Sequence, residues 1–321
     1  MRVVVIGGSG HVGTFLAPRL VEAGHDVVCV SRGEREPYQP HAAWRFVERV
    51  SLDRAAEEAA GTFGERIRDL QPDAVVDLIC FQKDSANQLV EALRGNVQHF
   101  LHCGTIWVHG HSTQVPATED LPRHPFGEYG IGKAEIEAYL LDEARRNGFP
   151  ATVLHPGHIV GPGWAPLNPA GHFDTGVFET LARGEELALP NLGMETVHHV
   201  HADDVAQAFV RALANWGGSV GESFHVVSPQ ALTLRGYAEA VAGWFGRQAH
   251  LNFLPWEEWK SGVSGEDAAG TWDHIAHSPN CSIDKARRLL YYQPRYSSLQ
   301  AVRESVGGLI ENGVVDAGFR V

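Results

Sequence analysis

The sequence predicts an α/β protein built on a doubly wound parallel sheet, with a smaller, mostly helical C-terminal substrate region. Three observations carry this expectation. Short apolar runs alternate with helical stretches through the first half of the 321-residue chain. The first run, starting at Val3, breaks directly into glycines spaced as Gly7, Gly10 and Gly13. Beyond Pro156 the texture changes to a loop punctuated by Gly161, Pro162, Gly163, Pro166, Pro169 and Gly171, the composition of a crossing from a sheet into a covering region.

Taken in order, strands are expected at residues 2–6, 26–30, 74–79, 99–103 and 151–154, with helices between them. The first helix should run from about His11 to Ala23 and stop at Gly24, bent or disrupted at Pro18. The chain should then rejoin the sheet through strands at 197–201 and 224–227 and a helix at 203–214. The domains are therefore read as discontinuous: 1–160 plus about 196–227, and about 161–195 plus 228–321. From Leu232 onward the periodicity is helical, with Thr233 and Ser282 as expected N-caps. Trp244, Trp256, Trp259 and Trp272 are read chiefly as core of the smaller region.

Bulk composition narrows the function. Subtracting 39 acidic from 26 basic residues leaves a formal charge of −13, which repels nucleic acid and anionic membranes, so neither is an expected partner. Cys29, Cys80, Cys103 and Cys281 show no CxxC spacing and read as buried thiols of a reducing compartment. The first strand begins directly after Met1 and no 18-residue apolar stretch follows, which points to a cytoplasmic protein. Of His198, His199 and His201, only the second and third share a strand face, so no metal is expected.

The glycine spacing suits a tight strand-to-helix turn whose N–H groups face a pyrophosphate. Much later, Tyr129 and Lys133 stand four residues apart, one helical turn, and form an acid/base pair in which the ammonium should lower the phenol's pKa. With a strand ending at Thr105 in HCGTIWVHG between them, these segments resemble the extended short-chain dehydrogenase/reductase superfamily, in its NAD(P)-dependent epimerase/dehydratase branch.

That resemblance implies a Rossmann-type domain with Thr105, Tyr129 and Lys133 as the catalytic set. It places Gly7, Gly10, His11, Val12, Gly13, Ser31, Arg32, Leu78, Lys133 and His155 at the cofactor, and Trp107, His109, His158 and Asn168 at the substrate. Ser31 and Arg32 at the end of the second strand, with Arg35 nearby, favour NADP, with NAD possible. The family's adenine-contacting Asp is missing at its nearest position, Val50. His155 stands where the family typically has Arg, and could contact substrate or carry a second proton.

Two further departures bear on the reaction. Ile106 and Trp107 replace the acid pair of nucleotide-sugar dehydratases, which disfavours dehydration. Val197 stands at a pyrophosphate-binding Arg position, which favours free sugars, sugar acids or small polyols. The expected function is an NAD(P)-dependent epimerase or oxidoreductase acting by hydride transfer on a sugar-like hydroxyl. The alternatives are a simple NADP-dependent reductase of a small carbonyl compound and a non-catalytic RNA-binding relative of the chloroplast stem-loop type. A homodimer is expected through helices 84–94 and 129–146, with Leu89, Leu93, Ile136 and Leu140 on their outer faces.

Overall fold

The computed structural model describes residues 1–318. Its strands in chain order are β1 (Arg2–Ile6), β2 (Asp26–Ser31), β3 (Val47–Ser51), β4 (Ala74–Asp77), β5 (His99–Cys103), β6 (Ala151–Pro156) and β7 (His158–Val160). There follow β8 (Glu186–Pro190), β9 (Thr196–Val197), β10 (His199–His201), β11 (Ser223–Val226), β12 (Leu232–Thr233) and β13 (His250–Leu254). Seven of these form one parallel sheet in the order β11-β6-β5-β4-β1-β2-β3. The chain winds outward from β1 in one direction through β2 and β3, then in the other from β4. The switch point lies between β1 and β4, and ligands bind outside the carboxyl ends of the strands at such a point.

Successive β1 residues explain why both faces are covered. Val3 and Val5 point into one buried cluster with Leu16, Leu20 and Phe209, whereas Val4 and Ile6 point into another with Phe63, Leu89 and Ile136. The covering helices are α1 (Gly13–Glu22), α2 (Arg54–Ala59), α3 (Phe63–Arg68), α4 (Lys83–Leu93), α5 (Gly127–Arg146) and, after α6 (Gly176–Arg183), which packs away from the sheet, α7 (Ala202–Ala214). A third core, around Leu181, Tyr237, Trp259 and Val302, lies beyond the sheet. Trp244 and Trp256 pack against that core, while Trp272 stays half exposed.

Several expectations change. β3 was not expected, because VERVS carries alternating charge and sits at the sheet edge, where burial is shallow. Residues 197–201 do not rejoin the main sheet: β10 pairs with β7 and β9 with β12, whereas α7 does return, packed on α1. α1 stays continuous through the buried Pro18. Thr233 caps its helix, but Ile283 rather than Ser282 occupies the cap position of the 284–290 helix, with the Ser282 hydroxyl accepting from the Asp284 amide. Leu89, Leu93, Ile136 and Leu140 are wholly buried against the sheet, so they form no outer face for a second copy. All four cysteines are free and buried. Among the described residues no helix is long and apolar enough to cross a membrane.

Candidate active site

β1 ends where the glycine turn begins. Gly7 takes φ +87°, a left-handed conformation that only glycine adopts freely, and a Cβ there would come within 2.9 Å of Ile79. Gly8 and Gly13 serve close packing: a side chain on the first would strike Cys29, and one on the second would strike the Gly8 backbone. Gly8 was not singled out in the sequence, although its neighbours were. At the start of α1 the cap residue Val12 supplies no side-chain acceptor, while the Thr14 and Phe15 amides donate to the Gly10 and Val12 carbonyls at 2.9 and 3.1 Å. Backbone this close to the strand ends, with a helix N-terminus behind it, fits a pyrophosphate.

From this turn a cleft extends both ways. One arm, about 600 Å³, is lined by Gly7, Gly10, Ser31, Arg32, Arg35 and Asp53 among others, where an adenosine would lie. The Ser31 hydroxyl accepts from the Gly33 amide at 3.3 Å, and the exposed Arg32 guanidinium pairs with Glu34 at 3.0 Å. Val50 lies inside β3, and Asp53, one of three acidic residues at this arm with Glu34 and Glu58, stands two positions beyond the strand, where it caps α2. Beneath it Arg54 forms a buried 2.7 Å pair with Asp77.

The other arm, about 500 Å³, joins Gly7, Gly10, His11, Val12 and Leu78 to Thr105, Trp107, Tyr129, Lys133 and His158. The sequence-expected site residues were drawn from all over the chain, and this arm gathers ten of the sixteen because β1, β4 and β5 end at one level. Thr105 follows β5 in extended conformation and caps a short helical turn. Tyr129 and Lys133 project from α5 on one stripe, with the ammonium 5.9 Å from the phenol ring centre.

Lys133 is almost fully buried. Its Nζ donates to the carbonyls of Cys80 at 2.7 Å and Cys103 at 2.6 Å, which leaves its third N–H for the cleft. Burial lowers its pKa. The Tyr129 phenol is pushed up to about 12 by desolvation of its hydroxyl end, although the side chain as a whole is half exposed, with the Thr105 hydroxyl acting in the opposite, lowering direction. The expectation that Lys133 depresses the phenol therefore fails in the free protein. Two of the ammonium's protons are committed to carbonyls, desolvation is the largest cause of the phenol's shift, and the Lys133 charge is not among its causes.

At the far end of this arm stand Trp107, His158, Phe173 and His274. His158 is buried with Nε2 unpartnered, and its pKa lies well below the ordinary imidazole value because of that burial. His274 is likewise held down, to about 4, by burial. Both rings are thus neutral at physiological pH. Among the described residues Lys133 is the only lysine or arginine lining this arm, and the Val197 side chain is buried in the third core.

Three expected residues lie elsewhere. His155 is buried behind Thr105 and bonded to its amide. His109 is bonded to His225 at 2.7 Å. Asn168 is wholly buried and organises its own loop through Ala170, His172 and Asp174. His198 bridges Ser228 and Cys281, His201 caps α7, and among the described residues no three metal-ligating side chains converge. A larger surface concavity, about 950 Å³ beside α5, contains none of the sequence-expected residues.

A doubly wound sheet whose glycine turn and Thr-Tyr-Lys cleft meet at the switch point defines a nicotinamide-dependent enzyme of the extended short-chain dehydrogenase/reductase type. The chain belongs to the NAD dependent epimerase/dehydratase family, whose profile matches residues 3–226. It is 29% identical to 2'-dehydrokanamycin reductase of Streptomyces kanamyceticus over 86% of this chain and 76% of that protein. It is also 29% identical to UDP-glucose 4-epimerase of Mycolicibacterium smegmatis, over 79% and 86% of the two chains. A chloroplast stem-loop binding protein of 41 kDa from Arabidopsis thaliana is 24% identical over 95% and 78%. The solved UDP-glucose 4-epimerase of Thermotoga maritima shares the fold with a TM-score of 0.73 at 22% identity, covering 97% and 99%.

Proposed function

We propose that the protein reduces a ketone on a sugar-like compound that carries no nucleoside diphosphate, or works in the reverse direction, with Tyr129 as the proton donor and NADP(H) as the preferred cofactor. The observation that carries this reading is the meeting of Thr105, Tyr129 and Lys133 on the wall of the cleft that begins at the glycine turn. When bound, the dinucleotide supplies or accepts hydride at its nicotinamide ring.

The chain's own residues do the rest. Backbone amides of the glycine turn, at the positive end of α1, hold the pyrophosphate, and the third N–H of Lys133 holds the nicotinamide ribose. The Thr105 hydroxyl orients the substrate oxygen, and Tyr129 gives that oxygen a proton as negative charge develops. A phenol near 12 is fully protonated at neutral pH, which suits the reducing direction. Ser31 and Arg32 favour a 2′-phosphate.

The substrate class follows from the other end of the arm. Neutral imidazoles and aromatic rings bind hydroxyls and ring faces, whereas a pyrophosphate would need guanidinium groups, of which the described residues put none on this wall. An RNA-binding reading rests on the likeness to the chloroplast protein, and the 13 excess negative charges oppose it.

The test follows absorbance at 340 nm with NADPH or NADH against keto-sugars, 2'-dehydrokanamycin and a 4-keto UDP-sugar. Turnover of the nucleotide-free ketones, reduced at least about a hundredfold in Tyr129→Phe, is expected. Turnover confined to the nucleotide sugar would overturn the substrate class. Undiminished activity in Tyr129→Phe would overturn the proton-donor role. Isomerisation of an alcohol without net coenzyme change would identify an epimerase instead.

A further inference from the structure

The His155 ring lies against Gly104, where any Cβ would overlap Nδ1, and it is boxed between Thr105 and α5. The Thr105 amide donates to Nδ1 at 3.0 Å, so that nitrogen carries no proton. The ring's proton therefore sits on Nε2, which donates to Glu137 Oε1 at 2.9 Å. Glu137 stands four residues beyond Lys133, as Lys133 stands four beyond Tyr129. One helical stripe thus carries phenol, ammonium and carboxylate in succession. Arg123 grips both carboxylate oxygens, at 2.9 and 2.7 Å, and neither Glu137 nor His155 lines the cleft.

We infer that Glu137 and His155 are positioning residues for Thr105: the carboxylate sets the imidazole tautomer, the imidazole holds the amide, and the amide places the hydroxyl that meets the substrate oxygen. This deepens the proposed function and rests on its assignment of Thr105. The opposite tautomer would face one N–H with another at Thr105 and turn a lone pair toward a carboxylate. In a water-free setting both contacts are repulsive. The small residue at position 104 gains a reason as well, since its missing side chain is what lets the ring reach the amide.

The test uses histidine labelled with nitrogen-15 in the wild type, Glu137→Gln, His155→Asn and the double variant, together with amide exchange at Thr105. Asn can set its amide oxygen where Nδ1 stood and needs no carboxylate to fix a proton. In the wild type, the signal that His155→Asn removes should show a bare Nδ1 and a protonated Nε2. Glu137→Gln should lose this signature and speed Thr105 exchange at least about tenfold while Leu101 holds steady. His155→Asn should keep Thr105 protected, and adding Glu137→Gln to it should change little.

An unaltered signature and unaltered exchange in Glu137→Gln would overturn the inference. So would equal effects of Glu137→Gln with and without the imidazole. Should Glu137→Gln fail to fold, His155→Leu decides: exposure of the Thr105 amide there but not in His155→Asn supports the inference, and equal exposure overturns it. NADPH and NADH binding to the wild type is followed by fluorescence in parallel. Failure to bind either removes the enzymatic reading, while the tautomer and exchange data still judge the positioning.

Discussion

Replacing Lys133 by Met separates what the lysine does for the fold from what it does in the cleft. The substitution leaves the Cys80 and Cys103 carbonyls without the donors now at 2.7 and 2.6 Å. Each orphaned buried carbonyl costs about 1–3 kcal/mol. Against this, removing a desolvated ammonium returns several kcal/mol, roughly the same total with the opposite sign. Stability at neutral pH should therefore change by less than about 2 kcal/mol. Because burial lowers the Lys133 pKa in the folded protein from 10.5, the folded state holds that proton less tightly than the unfolded chain does. The charge is thus a cost at neutral pH that fades as pH rises toward 10.5, so the wild type should gain on the variant in alkaline urea titrations. Activity should fall about 10²- to 10⁴-fold, or roughly 3–5 kcal/mol of barrier, with coenzyme affinity weakened alongside. A variant that unfolds at far lower urea, losing activity only in proportion to its unfolded fraction, would show the lysine to be purely structural.

Gly13→Ala drives a Cβ into the Gly8 backbone, so it should cost about 1–3 kcal/mol in urea unfolding and weaken coenzyme binding; a variant indistinguishable from wild type in both would deny the close approach. Arg32→Ala should raise the NADPH dissociation constant about tenfold, close to 1.4 kcal/mol, while sparing NADH, and equal losses for the two coenzymes would contradict a 2′-phosphate contact. Asp77→Asn takes away one of the two carboxylates on Arg54, which keeps its 2.6 Å pair with Glu58, and a loss of about 1–3 kcal/mol is expected by calorimetry or urea, no loss refuting a role for the pair. His11, His99, His198, His274 and His277 are held by burial to about 4, below the ordinary 6.5. Such groups gain protons on unfolding, so stability is intact above 6.5 and is lost as pH falls from there toward 4, by about 1.4 kcal/mol per pH unit for each proton taken up. A melting temperature flat across that window would refute their burial as neutral rings.

Much of this protein is legible in one dimension because the relevant patterns span few residues. The apolar run into Gly7, the period of the sheet strands and the one-turn spacing of Tyr129 and Lys133 all depend on near neighbours, and each is found where the sequence places it. The edge strand β3 escaped notice because its charged residues face solvent and leave no apolar signature. Apolar stripes on α4 and α5 show that something covers them, but not whether it is the sheet or a second copy; the structure puts the sheet there. Glu137 could have been found by extending the four-residue register one turn beyond Lys133.

The histidines mark the boundary most clearly. Their number is visible at once, yet the partners of His155 lie 18 and 50 residues away and that of His109 lies 116 away. An imidazole can donate, accept, carry charge or fill space, and its own residue type does not choose among these. Sequence alone determined six of the seven sheet strands, the glycine turn and the phenol–ammonium stripe, because local sterics and periodicity dictate them. Tertiary structure decided which rings meet the cleft, which stand behind it and where the phenol's proton rests, because burial and long-range hydrogen bonds exist only once distant segments are packed together.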